Sequence, residues 1–135
     1  MAIREKNNKQ AEGEKKDIFL RMGAGESKFA DIIWENEPIS SSDLSRRSEE
    51  LLGWKKTTSF TVLKRLCDKG LFRNIKGTVT SMISKKDYYS ARSEEFVEEN
   101  FGGSLPAFLT LFASRKPLTA DEVKELKKLI EEYEK

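Results

Sequence analysis

Between Trp54 and Lys76 the chain carries seven basic side chains, Lys55, Lys56, Lys64, Arg65, Lys69, Arg73 and Lys76, against the single acid Asp68. That is a local charge of +6 in 23 residues. Thr57, Thr58, Phe60 and Thr61 are interleaved with the first of these cations. Small hydroxyls among dense positive charge suit a polyanion, nucleic acid above all. A charge run by itself is more often a solvated face, so the elements that carry it must decide. Elsewhere the chemistry is thin. His is absent and Cys67 is the only cysteine, which excludes disulfide scaffolds, zinc fingers, thiol–imidazole nucleophiles and histidine acid–base work. No Gly-rich phosphate loop or placed pair of carboxylates stands out, so an enzyme is the weakest reading. No metal site and no cofactor are predicted.

The 135 residues hold one compact domain or two very small ones. The hydrophobic set is 37% and the charged set 36%, an ordinary soluble balance. No apolar run approaches the roughly 20 residues that span a bilayer, and residues 1–16 lack the basic-then-apolar order of a signal peptide. A cytoplasmic protein without a membrane partner is expected. The formal net charge of +2 conceals an asymmetry: residues 1–84 carry +4 and residues 85–135 carry −2.

The elements that position the basic run are set by periodicity and punctuation. Residues 1–16 are nearly devoid of apolar side chains and read as a frayed extension or a weak helix. Ile18, Phe19, Leu20 and Met22 form a short apolar patch expected to pack on the chain beyond it. A first helix is predicted over 26–36, with Phe29, Ile32 and Ile33 at helical spacing. Pro38 closes it, because the residue before a proline avoids the helical region. Ser40, Ser41, Ser42 and Asp43 offer caps for a second helix bearing Leu44, Leu51 and Leu52, and Gly53 ends it. A third helix is predicted over about 57–68. Two β segments, 71–75 and 79–83, come next, joined through Lys76, Gly77 and Thr78 as a hairpin.

Three helices and a hairpin in under 60 residues are the layout of a winged helix-turn-helix. If Ser59, Val62, Leu63 and Leu66 point inward, the third helix turns Thr57, Phe60, Thr61, Lys64 and Asp68 outward, as a helix in the major groove should. Phe60 has two readings: a core aromatic on a slightly rotated helix, or an apolar contact to thymine methyls.

Beyond Ser84 the character changes. A fourth helix over about 85–99 brings Tyr88, Tyr89, Arg92 and Phe96 toward one face. Gly102 and Gly103 break it. Ser104 caps a fifth helix with Leu105, Phe108, Leu109, Leu111 and Phe112, and Pro106 is tolerated in its first turn. A capping box of Thr119 and Glu122 opens a sixth, striped by Val123, Leu126, Leu129, Ile130 and Tyr133. About 50 residues of this composition are too few for an isolated stable core, so pairing with a second copy is expected. The predicted fold is thus mainly α with a small β-hairpin wing. It comprises an extension (1–22), a winged-helix DNA-binding domain (23–84) and a three-helix dimerisation domain (85–135). The dimer face is assigned to Tyr88, Phe96, Leu105, Phe108, Leu109, Phe112, Val123, Leu126 and Ile130.

Several of these residues form a recognisable pattern. Ile32-Ile33-Trp34 before Pro38, then Trp54, then Thr58, Thr61-Val62-Leu63, Arg65-Leu66 and Lys69-Gly70-Leu71 resemble the penicillinase repressor family of bacterial transcription regulators. The tail is similar too, in Tyr88 to Phe96, Gly103-Ser104-Leu105 and the last helix from Leu118, so the resemblance covers roughly 26–133. It implies a homodimeric repressor on a palindromic operator of TACA/TGTA type. By position it implies DNA contacts from Lys55, Lys56, Thr57, Thr58, Thr61 and Lys64, with Lys76 in the wing; Phe60 joins them on its second reading. Arg65 stays open between DNA and an acidic partner on the first or second helix.

Three positions depart from the family pattern. Thr78 stands where the wing usually carries Arg, and Met82 where a Tyr is common. The Asn–Phe bond cut on induction of the antibiotic-sensing members, where a membrane sensor triggers cleavage, corresponds to Leu111-Phe112, which puts a sensor protease as a partner in doubt. The copper-responsive branch needs a C-terminal cysteine pair that this chain lacks. Against the repressor stands one alternative of another class, a winged-helix adaptor that docks a protein partner without reading DNA sequence. Such an adaptor has no reason to keep a cationic face around Thr57, Thr61 and Lys64.

Overall fold

The structure, a computed structural model, describes residues 21–135. Ile18, Phe19, Leu20 and most of the predicted extension lie outside the described residues. Among the described residues there are six helices and one three-stranded sheet.

Helix α1 (Ala24–Asn36) starts where the Glu26 carboxylate accepts from the Gly23 N–H, two residues before the predicted start. It buries Phe29, Ala30, Ile32 and Ile33 on one face. Glu37, held extended before Pro38, ends it. Strand β1 (Ile39–Ser40) is not among the predicted elements, because two residues are too few to carry a periodic signal. Ser40 then caps α2 (Ser41–Leu52) by accepting from the Asp43 N–H at 3.0 Å. Gly53 closes α2 in the left-handed region (φ 70°), its N–H bonded to the Glu49 carbonyl at 3.0 Å.

Helix α3 (Lys56–Asp68) buries Ser59, Val62, Leu63 and Leu66, the inward face the periodicity predicts. The hairpin is built from β2 (Phe72–Ile75) and β3 (Thr78–Ser81). Its connection is one residue shorter than predicted. Lys76 and Gly77 alone form the turn, both at positive φ (51° and 82°), and Thr78 already pairs with Ile75. The antiparallel sheet runs β1-β3-β2, with Ile39 opposite Val79. The Ser41 N–H donates to the Gly77 carbonyl at 2.8 Å, which ties the wing turn to the start of α2.

The core of this first unit is Phe29, Ile33, Leu44, Leu66, Leu71, Phe72 and Val79. Trp54 stacks on Phe29 at 5.3 Å, and Met22, the one described member of the apolar patch, packs against the same cluster. Helix α4 (Lys85–Phe101) extends past the predicted end to Phe101. Its first turns belong to the first unit: Tyr88 is 2% exposed, its ring 5.8 Å from that of Trp34, and Lys85 pairs with Asp31 at 3.0 Å. The two compact units therefore divide inside α4, between Arg92 and Ser93, rather than at residue 84.

The second unit contains the end of α4, α5 (Leu105–Arg115) and α6 (Ala120–Tyr133). Ser104 caps α5 through the Ala107 N–H at 3.1 Å, and Thr119 with Glu122 forms the capping box of α6. Phe96, Phe101 and Phe108 meet edge-on or tilted, with centroids 5.3 to 6.1 Å apart. No residue of α5 or α6 is fully buried.

Candidate nucleic-acid interface

The face of α3 turned away from the core is assembled by helical phase alone. Once Ser59, Val62, Leu63 and Leu66 are buried, Lys56, Thr57, Phe60, Thr61 and Lys64 have only the outside left. Lys55, Lys56, Thr57, Thr58, Phe60, Thr61 and Lys64 are all exposed, and so is Lys76 on the wing turn. The structure therefore gathers seven of the eight predicted DNA-binding residues on α3 or at its cap and one on the wing. Phe60 keeps 38% of its surface exposed and is not among the fully buried core residues.

The cations of the run divide into two groups. Lys69 reaches the Glu26 carboxylate of α1 at 3.5 Å and the Arg21 carbonyl at 2.8 Å, and Arg65 approaches the same carboxylate oxygen at 4.0 Å. Arg65 thus has the acidic partner on the first helix that one of its two readings requires. Arg73 donates to the Thr80 hydroxyl across the hairpin at 3.3 Å. Among the described residues, Lys55, Lys56, Lys64 and Lys76 have no ion-pair partner. Four cations without an ion-pair partner among the described residues, three on α3 or its cap and one on the wing, are free to neutralise an external anion.

The start of α3 adds a second anion-holding device. Lys55 occupies the N-cap without a side-chain hydrogen bond, and no acidic residue stands in the first turn. The leading N–H groups and the positive end of the helix dipole thus face outward, with the hydroxyls of Thr57 and Thr58 beside them. Thr61 differs. Its hydroxyl donates to the Thr57 carbonyl at 2.8 Å, so that proton is engaged within the helix. The Lys56 ammonium stands 5.8 Å from the centre of the Phe60 ring. Cys67, on the neighbouring strip, is half-buried; burial first, then the adjacent Asp68, push its thiol above the ordinary cysteine value.

In the second unit, Phe96, Leu105, Phe112 and Ile130 are exposed, and Phe108, Leu109, Val123 and Leu126 half-buried. Leu105 and Ile130 each keep 60% of their surface open. Leu111, Leu129 and Tyr133 are exposed as well; sequence periodicity places them on the same helices without assigning them to an interface. Tyr88 is a correction. Predicted for the dimer face, it lies in the core of the first unit, because Trp34 and Phe72 leave an apolar seat there that the first turns of α4 fill.

The family of repressors described as Penicillinase repressor matches residues 22–132 of this chain. The chain belongs to the penicillinase repressor family. One relative, the penicillinase repressor of Bacillus licheniformis, is 27% identical over 106 residues, covering 76% of this chain and 83% of its own length. Membership makes the chain a DNA-binding transcriptional repressor. In this family member the exposed face of α3 and the wing turn are the surface whose charge and geometry suit that role. Among the described residues no helix is long and apolar enough to cross a membrane.

Proposed function

We propose that this repressor acts as a homodimer on a two-fold symmetric operator, each copy laying α3 in the major groove with its wing beside it. The observation that carries this reading is the set of cations without an ion-pair partner among the described residues: Lys55 and Lys56 at the uncapped start of α3, Lys64 along its exposed face and Lys76 on the wing turn. A single helix reads too few base pairs for useful discrimination, whereas two half-sites about one DNA turn apart multiply it. The second unit supplies the reason to pair, since its helices leave Leu105, Phe112 and Ile130 in water. A repressor of this kind works where the chromosome is, in the bacterial cytoplasm.

A sensor protease has no part in the proposal, because Leu111 and Phe112 occupy the position of the family's cleaved Asn–Phe bond. The adaptor reading gains nothing from a face that keeps its charge open. The test is selection of bound sequences from a random duplex pool. We expect enrichment of an inverted repeat, with affinity falling on the order of 10³-fold between about 50 and 200 mM salt. Binding that is indifferent to sequence, or flat against salt, sinks the proposal.

A further inference from the structure

Two neighbours on α3 do not fit a face built only to hold phosphates. Phe60 keeps 38% of its surface exposed, one helical turn from Lys56 on one side and from Lys64 on the other. A large aromatic in water is unfavourable until something apolar covers it. The Lys56 ammonium stands over its ring, 5.8 Å from the centre, and supplies charge rather than an apolar cover. Thr61 is adjacent in sequence and shares the face. Because its hydroxyl proton is engaged by the Thr57 carbonyl, Thr61 has no donor for a base edge, and it offers a methyl group and an acceptor oxygen. Behind Phe60 a shallow depression is lined by Leu63, Cys67 and Asn74, with Lys64 as its one charged member.

In the major groove the apolar group that a base pair presents is the C5-methyl of thymine. We infer that Phe60 and Thr61 form a methyl-reading patch, so that each half-site is selected for a thymine under α3 while Lys56 and Lys64 hold the flanking backbone. This inference rests on α3 being the DNA-reading helix, and the experiment separates the two claims.

The full chain is titrated with a duplex recovered by selection, and each thymine of a half-site is replaced in turn by deoxyuridine. That change deletes one methyl and leaves every hydrogen-bonding group in place. At one thymine per half-site the wild-type protein should lose about fourfold in affinity, the worth of one buried methyl. In Phe60→Ala the difference between thymine and uracil should vanish, and in Thr61→Ser, which keeps the bond to Thr57, it should shrink. Should Phe60→Ala melt early, Phe60→Leu and Thr61→Ser carry the comparison. If uracil has no effect at any thymine, or if Phe60→Ala keeps the full thymine preference, the methyl-reading patch is overturned while the repressor reading stands. If the wild-type protein shows no sequence preference at all, both fall together.

Discussion

The indole N–H of Trp34 donates to the Ile83 carbonyl at 3.0 Å, joining positions 49 residues apart. The bond closes the first unit on itself. Trp34 sits on α1, and Ile83 lies between the last strand of the wing and α4. The same indole lies against Phe72, Tyr88 and Tyr89, with centroids 5.3 to 6.3 Å away. One side chain therefore fixes the exit of the wing and the first turns of α4 together, which is why Tyr88 is core.

Trp34→Phe keeps an aromatic in the seat and removes the donor. Loss of one partly buried hydrogen bond should lower unfolding free energy by about 1 kcal/mol. Trp34→Ala, which also vacates the seat, should cost about 3–5 kcal/mol. Denaturant melts of the two variants measure the difference. Equal losses would mean that filling the aromatic seat contributes nothing beyond the hydrogen bond.

Gly53 has a backbone requirement rather than a contact. At φ 70° it closes α2, and nothing lies within 4 Å of where a Cβ would be. Gly53→Ala is therefore sterically free but conformationally unfavourable, by about 1 kcal/mol. Gly53→Asn, which tolerates the left-handed region better, should lose less. Thermal melts that rank Asn below Ala would contradict this.

The winged-helix elements are legible in the sequence because each is punctuated: Pro38 and Gly53 end helices, Ser40 and Ser104 start them, and Val62, Leu63 and Leu66 fix the phase of α3. Phase also decides Phe60. A residue on the border of an apolar stripe is ambiguous from spacing alone, and its exposure is fixed only by the burial of the small Ser59 beside Val62. Strand β1 is invisible because its two residues are held by pairing to β3, a contact distant in sequence. Tyr88 escapes periodicity for a related reason. An apolar position on α4 looks the same whether Trp34 or a second copy covers it.

Lys64 and Lys55 should separate reading from holding. Lys64 lies mid-helix on the exposed face, whereas Lys55 is the N-cap. Lys64→Ala should weaken operator binding by about 1–3 kcal/mol and relax specificity at one base, with little change on unrelated duplex. Lys55→Ala should weaken both alike and reduce the salt slope by about one. Binding isotherms on operator and unrelated duplex at several salt concentrations decide; identical behaviour of the two variants contradicts the division of labour.

Glu122 ties the stability of α6 to pH. Its carboxylate accepts from the Thr119 backbone N–H at 3.0 Å, while its own N–H is capped by the Thr119 hydroxyl at 3.1 Å. The backbone bond first, then the side-chain bond, hold Glu122 below the ordinary glutamate value of 4.5. Folding thus favours the ionised form. Its contribution is complete above 4.5 and is lost as pH falls through the lowered value. Glu122→Gln should flatten that part of the acid profile, read as far-UV ellipticity against pH. An unchanged profile would assign the acid transition to other carboxylates.

Ile130 tests the pairing of the second unit. Within one chain it is already exposed, so a charge there should change the stability of the isolated chain by less than about 0.5 kcal/mol. Against a second copy the same charge is desolvated without a partner and is strongly unfavourable. Ile130→Asp should therefore sediment as a monomer at micromolar concentration where the wild-type chain sediments as a dimer. Because two linked half-site contacts become one, operator affinity should drop by about a hundredfold or more, while single half-site binding is kept. A wild-type chain that is monomeric, or a variant that still dimerises, removes α6 from the interface. If the variant dimerises less but binds the operator as before, then recognition needs only one copy, and the symmetric operator goes with it.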